Sequence, residues 1–122
     1  MASEDEILAF AAGTLDTVWA LELLLTLRKH PGRLWSADEL VQELRGSQSV
    51  VETGLKNLAV IAVLVQEADG RVRYHVTSAQ IGEFVDGLAA LYAHKPASVV
   101  RAIVTSRATK LQILADAFKI IR

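Results

Sequence analysis

Apolar residues recur at helical spacing along most of this chain, and a polar residue able to cap a helix precedes most of these stretches. Ser3 begins a capping-box sequence that predicts a helix over 4–12, ended by Gly13. Asp16 is the predicted cap of a second helix, over 17–29. This second helix is apolar around most of its axis, so we expect it to be covered on more than one side.

Two more capped helices follow in tandem. Ser36 begins a capping box that predicts a helix ended by Gly46, and Ser49 repeats the capping spacing at the start of the next helix. In that helix, "GSQSVVETGLKNLA" at 46–59, aliphatic residues form one stripe and polar residues lie opposite, with Asn57 at the margin. The aliphatic side is predicted to pack and the polar side to face solvent.

A β-hairpin is predicted directly after these helices. Asp69-Gly70 separates two β-rich runs, which favours a type I′ turn with positive φ at both positions. Alternation along the return strand gives it an apolar face and a basic face. The apolar face holds Val72, Tyr74 and Val76, and the basic face holds Arg71, Arg73 and His75.

Three more helices are predicted beyond the hairpin. Ser78 caps one that runs to about Tyr92. Pro96 begins another at the favoured first position and extends it to about Thr105, and the last helix covers 107–121.

The last helix carries an apolar stripe, and the helix at 17–29 is apolar around most of its axis. One small domain is not expected to cover both. We therefore predict a homodimer, with 1–12 and 96–122 supplying most of its interface. The alternatives are a docked core helix or a membrane-surface helix, and Asp116 in the basic face argues against the membrane. The predicted dimerisation residues are Leu111, Leu114, Phe118 and Ile121.

Composition excludes several classes of protein. With 122 residues the chain is expected to form one domain, and without cysteine it has neither disulfides nor thiolate metal sites. The histidines lack ligand-type partners at helical spacing, and no nucleotide-binding or hydrolase motif occurs, so we predict no metal, no cofactor and no enzymatic activity. An acidic N-terminus and the lack of a long apolar run predict a cytoplasmic protein without a membrane span.

The segment "SADELVQELRGSQSVVETGLKNLAVIAVLVQEADGRVRYHV" and the helix before it are predicted to form three helices followed by a hairpin. A tight turn joins the last two helices. This order resembles the winged helix-turn-helix of bacterial transcription regulators, with a core similar to that of MarR-like or PadR-like proteins. The resemblance covers 16–77 of a single domain, 1–122, and leaves 78–122 for packing or dimerisation. It implies a mainly α fold with a small β-hairpin wing and extra N- and C-terminal helices. Ala62 departs from the pattern, because many such domains have glycine there.

The resemblance implies a homodimeric, DNA-binding transcriptional regulator. Its helix at 46–59 would enter the major groove of double-stranded DNA, and its wing would hold the backbone. Gln48 and Asn57 carry amides suited to adenine edges. The implied DNA-binding residues are Arg45, Ser47, Gln48, Ser49, Thr53, Lys56 and Asn57, with Arg71 and Arg73 on the wing.

A second interpretation stays open, in which the winged helix is a protein–protein interaction module that does not bind DNA. The polar side of 46–59 has one lysine and also Glu52, which would repel phosphate. The wing arginines could be edge-strand charges that discourage aggregation. A net charge of −1 favours this alternative, with a protein partner in place of DNA.

The predicted core is shared by the three winged-helix helices and the hairpin. Its members are Trp19, Leu23, Leu40, Leu44, Val51, Leu55, Leu58, Val72 and Tyr74.

Overall fold

The computed structural model describes the backbone of residues 2–121 and the side chains of residues 2–113, 115 and 116. Within this part, six helices and one two-stranded antiparallel sheet follow one another along the chain. They are α1 (Glu4–Thr14), α2 (Val18–Lys29), α3 (Ala37–Leu44), α4 (Gln48–Val60), β1 (Leu64–Gln66), β2 (Val72–Tyr74), α5 (Ala79–His94) and α6 (Pro96–Ile121). This arrangement confirms the predicted fold class: mainly helical with a small hairpin, consistent with a winged helix that has extra helices at both ends.

The predicted caps are confirmed at three helices and wrong at two. Ser3 and Ser36 form complete capping boxes, and Ser78 caps α5. The cap of α2 is Thr17, whose side chain accepts the Ala20 N–H, because α2 begins at Val18, one residue later than predicted. The cap of α4 is Ser47 rather than Ser49, because the preceding turn is so short that α4 begins two residues earlier than expected.

The turn between α3 and α4 is closed by a left-handed residue, but that residue is Arg45 rather than Gly46. Arg45 has φ 55° and ψ 37°, its N–H bonds to the Gln42 carbonyl, and the Gly46 N–H bonds to the Val41 carbonyl at 3.1 Å. These bonds form the Schellman motif, in which glycine is the usual left-handed residue. Gly13 was also predicted to end a helix, but α1 continues to Thr14.

The hairpin forms where it was predicted, with a different turn. Leu64 pairs with Tyr74 and Gln66 with Val72, and Trp35 adds an isolated bridge to Val72. Only Gly70 in the loop has positive φ, at 90°, so the predicted type I′ turn is wrong. The Gly70 N–H instead closes a four-residue turn on the Glu67 carbonyl, as in a three-residue loop whose last residue is left-handed.

The core surrounds α2, whose buried leucines contact helices on several sides. Trp35 and not Trp19 is the buried tryptophan, with 1% of Trp35 and 41% of Trp19 exposed. Trp19 lies on the outward stripe of α2, at helical spacing from Glu22 and Thr26. Of the other predicted core residues, Leu23, Leu40, Val51, Leu58 and Val72 are buried, and Leu44, Leu55 and Tyr74 pack against the core while partly exposed.

Close helix crossings occur at two glycines. A Cβ at Gly54 would lie 2.9 Å from Leu23 Cδ2, so α4 approaches α2 more closely than a larger residue permits. A Cβ at Gly87 would lie 2.7 Å from Ile7 Cδ1, where α5 meets α1. The first of these contacts fixes α4 against the core.

The C-terminal segment forms one helix of 26 residues where two were predicted. No glycine or proline separates Thr105 from Arg107, and the Ser106 hydroxyl donates to the Ala12 carbonyl at 2.8 Å instead of capping a new helix. Among the described residues no single helix is long and apolar enough to cross a membrane, although α1 and α2 together reach that length and composition with a 111° bend between them.

Candidate nucleic-acid interface

The outward edge of α4 carries a row of exposed polar side chains because its opposite side is held in the core. Val51, Gly54 and Leu58 are the buried residues of α4 and face α2 and the hairpin. Helical spacing then directs the remaining positions to solvent. The exposed polar residues at this edge are Ser47, Gln48, Ser49, Glu52, Thr53 and Lys56.

The first turn of this edge is rich in hydroxyl groups. Ser47 accepts the Val50 N–H as the helix cap, and the Ser47 and Ser49 hydroxyl oxygens lie 3.2 Å apart. Hydroxyls in this position are able to donate to phosphate oxygens. Of the sequence-predicted residues, Ser47, Ser49 and Thr53 are therefore brought together on one exposed surface.

Charge on the α4 edge is mixed. Gln48 Nε2 donates to Glu52 Oε1 at 3.2 Å, so one amide hydrogen is already used and a carboxylate lies on the edge. Lys56 is exposed one turn further along, and Arg45 is exposed at the preceding turn. A nucleic acid approaching this edge would meet a cation at each end and Glu52 between them.

Asn57 lies apart from the other predicted residues, with its amide turned into the protein. Its Oδ1 accepts the Asp16 N–H at 2.9 Å, and its Nδ2 donates to the Thr14 carbonyl at 2.8 Å. Both ends of the amide are thus used by the α1–α2 connection. We assign Asn57 a structural role and leave it out of the candidate base contacts.

Both wing arginines are paired with carboxylates of the same hairpin. Arg71 Nε lies 2.7 Å from Asp69 Oδ2, and Arg73 Nε lies 3.2 Å from Glu67 Oε1. Hydrogen bonds from the backbone and side chain of Arg71 lower the pKa of Asp69. The two carboxylates and two guanidinium groups of the hairpin are therefore paired with one another, which sequence alone did not reveal.

One groove joins the α4 edge to the hairpin. It has a volume of about 270 Å³, and Lys56 of α4 and Gln66 of β1 both line it. Its floor is aliphatic and its rim is polar. The groove is lined by Glu52, Leu55, Lys56, Ala59, Leu64, Gln66 and Val72.

Trp19 is an exposed residue beside this surface that sequence reasoning placed in the core. It lines a shallow pocket of about 150 Å³ together with Thr17, Ser49, Val50 and Thr53. The signal that would have found it is the helical spacing of Trp19 with Glu22, since the buried residues of α2 lie on its other sides.

The predicted dimerisation stripe is described only in part. Leu111 is 55% exposed and its neighbour Ile113 is 65% exposed. Leu111 also lines an apolar groove with Val18, Ile103 and Val104. The side chains of Leu114, Phe118 and Ile121 lie outside the described residues.

Within residues 2–113, 115 and 116, no group of three His, Asp or Glu side chains is placed to hold a metal ion.

Comparisons with known proteins relate this chain to a solved structure by fold and not by sequence. No family model matches this chain, and no curated protein matches it in sequence. A solved structure from Methanosarcina mazei Go1, named as a possible transcriptional regulator, has the same fold with a TM-score of 0.52 and 16% sequence identity. The match covers 80% of this chain and 85% of that one. At this identity the likeness concerns the fold alone.

Proposed function

We propose that this protein is a homodimeric transcriptional regulator that binds double-stranded DNA, with α4 in the major groove and the hairpin on the flanking backbone. The observation that carries the proposal is the exposed polar edge of α4 beside the hairpin, with Lys56 and Gln66 lining one groove. Helix α4 has 13 residues and is about 20 Å long, and an α-helix about 10–12 Å across fits a major groove about 12 Å wide.

In this proposal the residues on and beside α4 contact different parts of the DNA according to the chemistry of their side chains. Arg45 and Lys56 contact phosphates at the two ends of the edge, and the hydroxyls of Ser47, Ser49 and Thr53 bind nearby phosphate oxygens. Gln48 reads a base edge, with adenine the natural target of an amide. To do so it must exchange its hydrogen bond to Glu52 for one to the base.

Arg71 and Arg73 hold the backbone that flanks the groove. Each is paired with Asp69 or Glu67 in the free protein, so binding exchanges an intramolecular ion pair for a phosphate contact. Exposed ion pairs of this kind are worth about 0–1 kcal/mol, which a phosphate contact can replace.

Dimerisation is part of the proposal because paired half-sites need two reading helices. Leu111 supplies exposed apolar surface on α6, and the stripe would continue through Leu114, Phe118 and Ile121. Light scattering at micromolar concentration should give twice the chain mass, and a clean monomer would contradict this part of the proposal.

The salt dependence of binding to labelled genomic DNA fragments tests the proposal. Each subunit offers four cations, but Arg71 and Arg73 are paired with carboxylates in the free protein, so we expect a net gain of about four to six phosphate contacts for the dimer. Affinity should then fall roughly 10²- to 10³-fold between 50 and 200 mM salt. Arg71→Ala with Arg73→Ala should weaken binding to all sequences and make the slope shallower, whereas Gln48→Ala should relax preference at particular base pairs by about 1–3 kcal/mol.

The second candidate function is a protein-interaction module. It is favoured by charge at the same surface, where Glu52, Glu67 and Asp69 oppose the four cations of α4 and the hairpin. If the folded wild-type dimer shows no salt-dependent binding to DNA at 50 mM salt, the regulator proposal fails and this candidate replaces it.

A further inference from the structure

Trp19 is exposed although aromatic rings of its size usually leave water. It is 41% exposed, while Trp35, the chain's other tryptophan, is 1% exposed. Burying an indole is favourable by kilocalories because of its large apolar area. The exposure of Trp19 beside α4 therefore favours a role in binding, in which another molecule covers the indole.

The Trp19 ring is held in place by the turn that precedes α4. A Cβ at Gly46 would lie 3.3 Å from Trp19 Cζ3 and 3.6 Å from Cη2, so the ring packs directly on the backbone of that turn. One face of the indole is thus fixed against the protein. A fixed aromatic side chain loses little conformational entropy when a partner binds.

The pocket at Trp19 is rich in hydroxyl groups. Thr17, Ser49 and Thr53 line it with Val50 and the indole. The groove on α6 that contains Leu111 is lined mainly by aliphatic side chains, which suits a second copy of the chain. The hydroxyl-rich pocket at Trp19 instead suits a ligand with oxygen atoms.

We propose that Trp19 contacts the sugar–phosphate backbone of DNA and thereby positions α4 in the groove. The inference rests on the proposed function and deepens it. Because Trp19 lies on α2, beside α4 and not on it, it meets the rim of the groove and not the base edges. Its ring packs on a deoxyribose, its N–H donates to a phosphate oxygen, and Ser49 and Thr53 bind the same strand.

The affinity test uses a labelled duplex and two variants of Trp19. Trp19→Ala should weaken binding about tenfold on every sequence, as a backbone contact does. The salt slope should stay at the wild-type value, because an uncharged indole displaces no counterions. Trp19→Phe keeps a ring without the N–H and should lose less. His94→Ala truncates another exposed ring, at the end of α5 and away from α4, and should bind within about twofold of wild type.

Acrylamide quenching of tryptophan fluorescence locates the contact directly. The Trp19→Phe protein contains only the buried Trp35 and supplies the background. In the wild-type protein, saturating DNA should protect the quenchable indole.

The outcomes separate this inference from the function on which it rests. Salt-dependent DNA binding with wild-type affinity in Trp19→Ala and no protection from acrylamide would overturn the role of Trp19 and leave the regulator standing. Protection that grows with protein concentration in the absence of DNA would also overturn it, because Trp19 would then lie between two copies. No DNA binding by the wild-type protein would overturn both.

Discussion

Asn57 donates its side-chain amide to the backbone carbonyl of Thr14 at 2.8 Å, across 43 positions of sequence. The other end of the same amide accepts the Asp16 N–H at 2.9 Å. One side chain of α4 thereby satisfies two backbone groups that the short connection between α1 and α2 leaves without helical partners. The orientation of α4 and the path of that connection are fixed together.

Replacing Asn57 should therefore destabilise the fold. Asn57→Ala leaves the half-buried Thr14 carbonyl unpaired and the exposed Asp16 N–H to water, and we expect a loss of about 1–2 kcal/mol in the free energy of unfolding. Gln48→Ala removes an exposed amide from the same helix and should cost under about 0.5 kcal/mol. Urea denaturation measures both, and equal stability of the two variants would contradict the structural role of Asn57.

Local chemistry was enough to predict most elements of this fold. The capping boxes at Ser3 and Ser36 and the glycine turn of the hairpin depend on residues three or four positions apart, and the structure has them. The wrong predictions need distant contacts. Asp16, the predicted cap of α2, lies instead in the α1–α2 connection, where its N–H bonds to Asn57, 41 positions away.

The sequence predicted most of the residues that form the candidate site, but not how their side chains pair with other groups. The exposed hydroxyls of α4 follow from helical periodicity alone. The engagement of Asn57 and the ion pair of Arg73 with Glu67 follow from contacts that no periodicity encodes, whereas the exposure of Trp19 agrees with its helical spacing from Glu22. Each of these three features changes what the surface can bind.

Two non-glycine residues with positive φ form a matched pair for testing the interface. Arg45 has φ 55° and Ala62 has φ 59°, a region that costs an L-residue about 1 kcal/mol relative to glycine. Arg45→Gly and Ala62→Gly should each stabilise the fold by about 0.5–1 kcal/mol. Only Arg45→Gly should weaken DNA binding, because it removes a positive charge beside α4 whereas Ala62→Gly removes none. Equal affinity of both variants would remove Arg45 from the interface.

The two glycines of α5 should respond oppositely to substitution by alanine. At Gly82 the nearest atom to an added Cβ would be Val76 Cγ1 at 3.9 Å, so alanine should stabilise the helix by up to about 1 kcal/mol. At Gly87 the added Cβ would lie 2.7 Å from Ile7 Cδ1 and 3.2 Å from Ile7 Cγ1, so the buried Ile7 side chain, or α1 with it, must shift. We expect Gly87→Ala to be less stable than Gly82→Ala by at least about 1 kcal/mol in thermal or urea unfolding, since overpacking costs about 1–3 kcal/mol. If Gly87→Ala were the more stable of the two variants, the contact between α5 and α1 would adjust to the added Cβ at little cost.

Stability should fall at alkaline pH because of the contact between α2 and α5. The Tyr92 hydroxyl donates to Glu22 Oε1 at 2.6 Å, and this bond raises the pKa of Tyr92 to about 12. The folded state then holds the Tyr92 proton more tightly than the unfolded state, whose pKa is about 10. This contribution is complete below pH 10 and is lost as the pH rises towards 12.

Urea denaturation of the wild type and Tyr92→Phe between pH 8 and 11.5 isolates this effect. The variant should be less stable at pH 8, and its stability should decline less steeply above pH 10. A residual decline is expected, because burial also raises the pKa of Tyr74. Parallel profiles for the two proteins would mean that the Tyr92 hydroxyl does not retain its proton through Glu22.

The carboxylates of the hairpin should restrain DNA binding by occupying the arginines that would contact phosphate. Asp69→Asn removes the charge opposite Arg71, while its side-chain oxygen can still accept the Arg71 N–H that helps to form the turn. Glu67→Gln removes the charge opposite Arg73. The double variant should bind duplex DNA more tightly at low salt, and each freed arginine should steepen the slope of log affinity against log salt by up to about 0.9 per subunit. Glu83→Gln removes an exposed carboxylate from α5 and controls for net charge. If Glu83→Gln changes affinity and slope as much per charge as the hairpin substitutions, the effect comes from the overall field of the protein and the paired arginines do not contact the backbone.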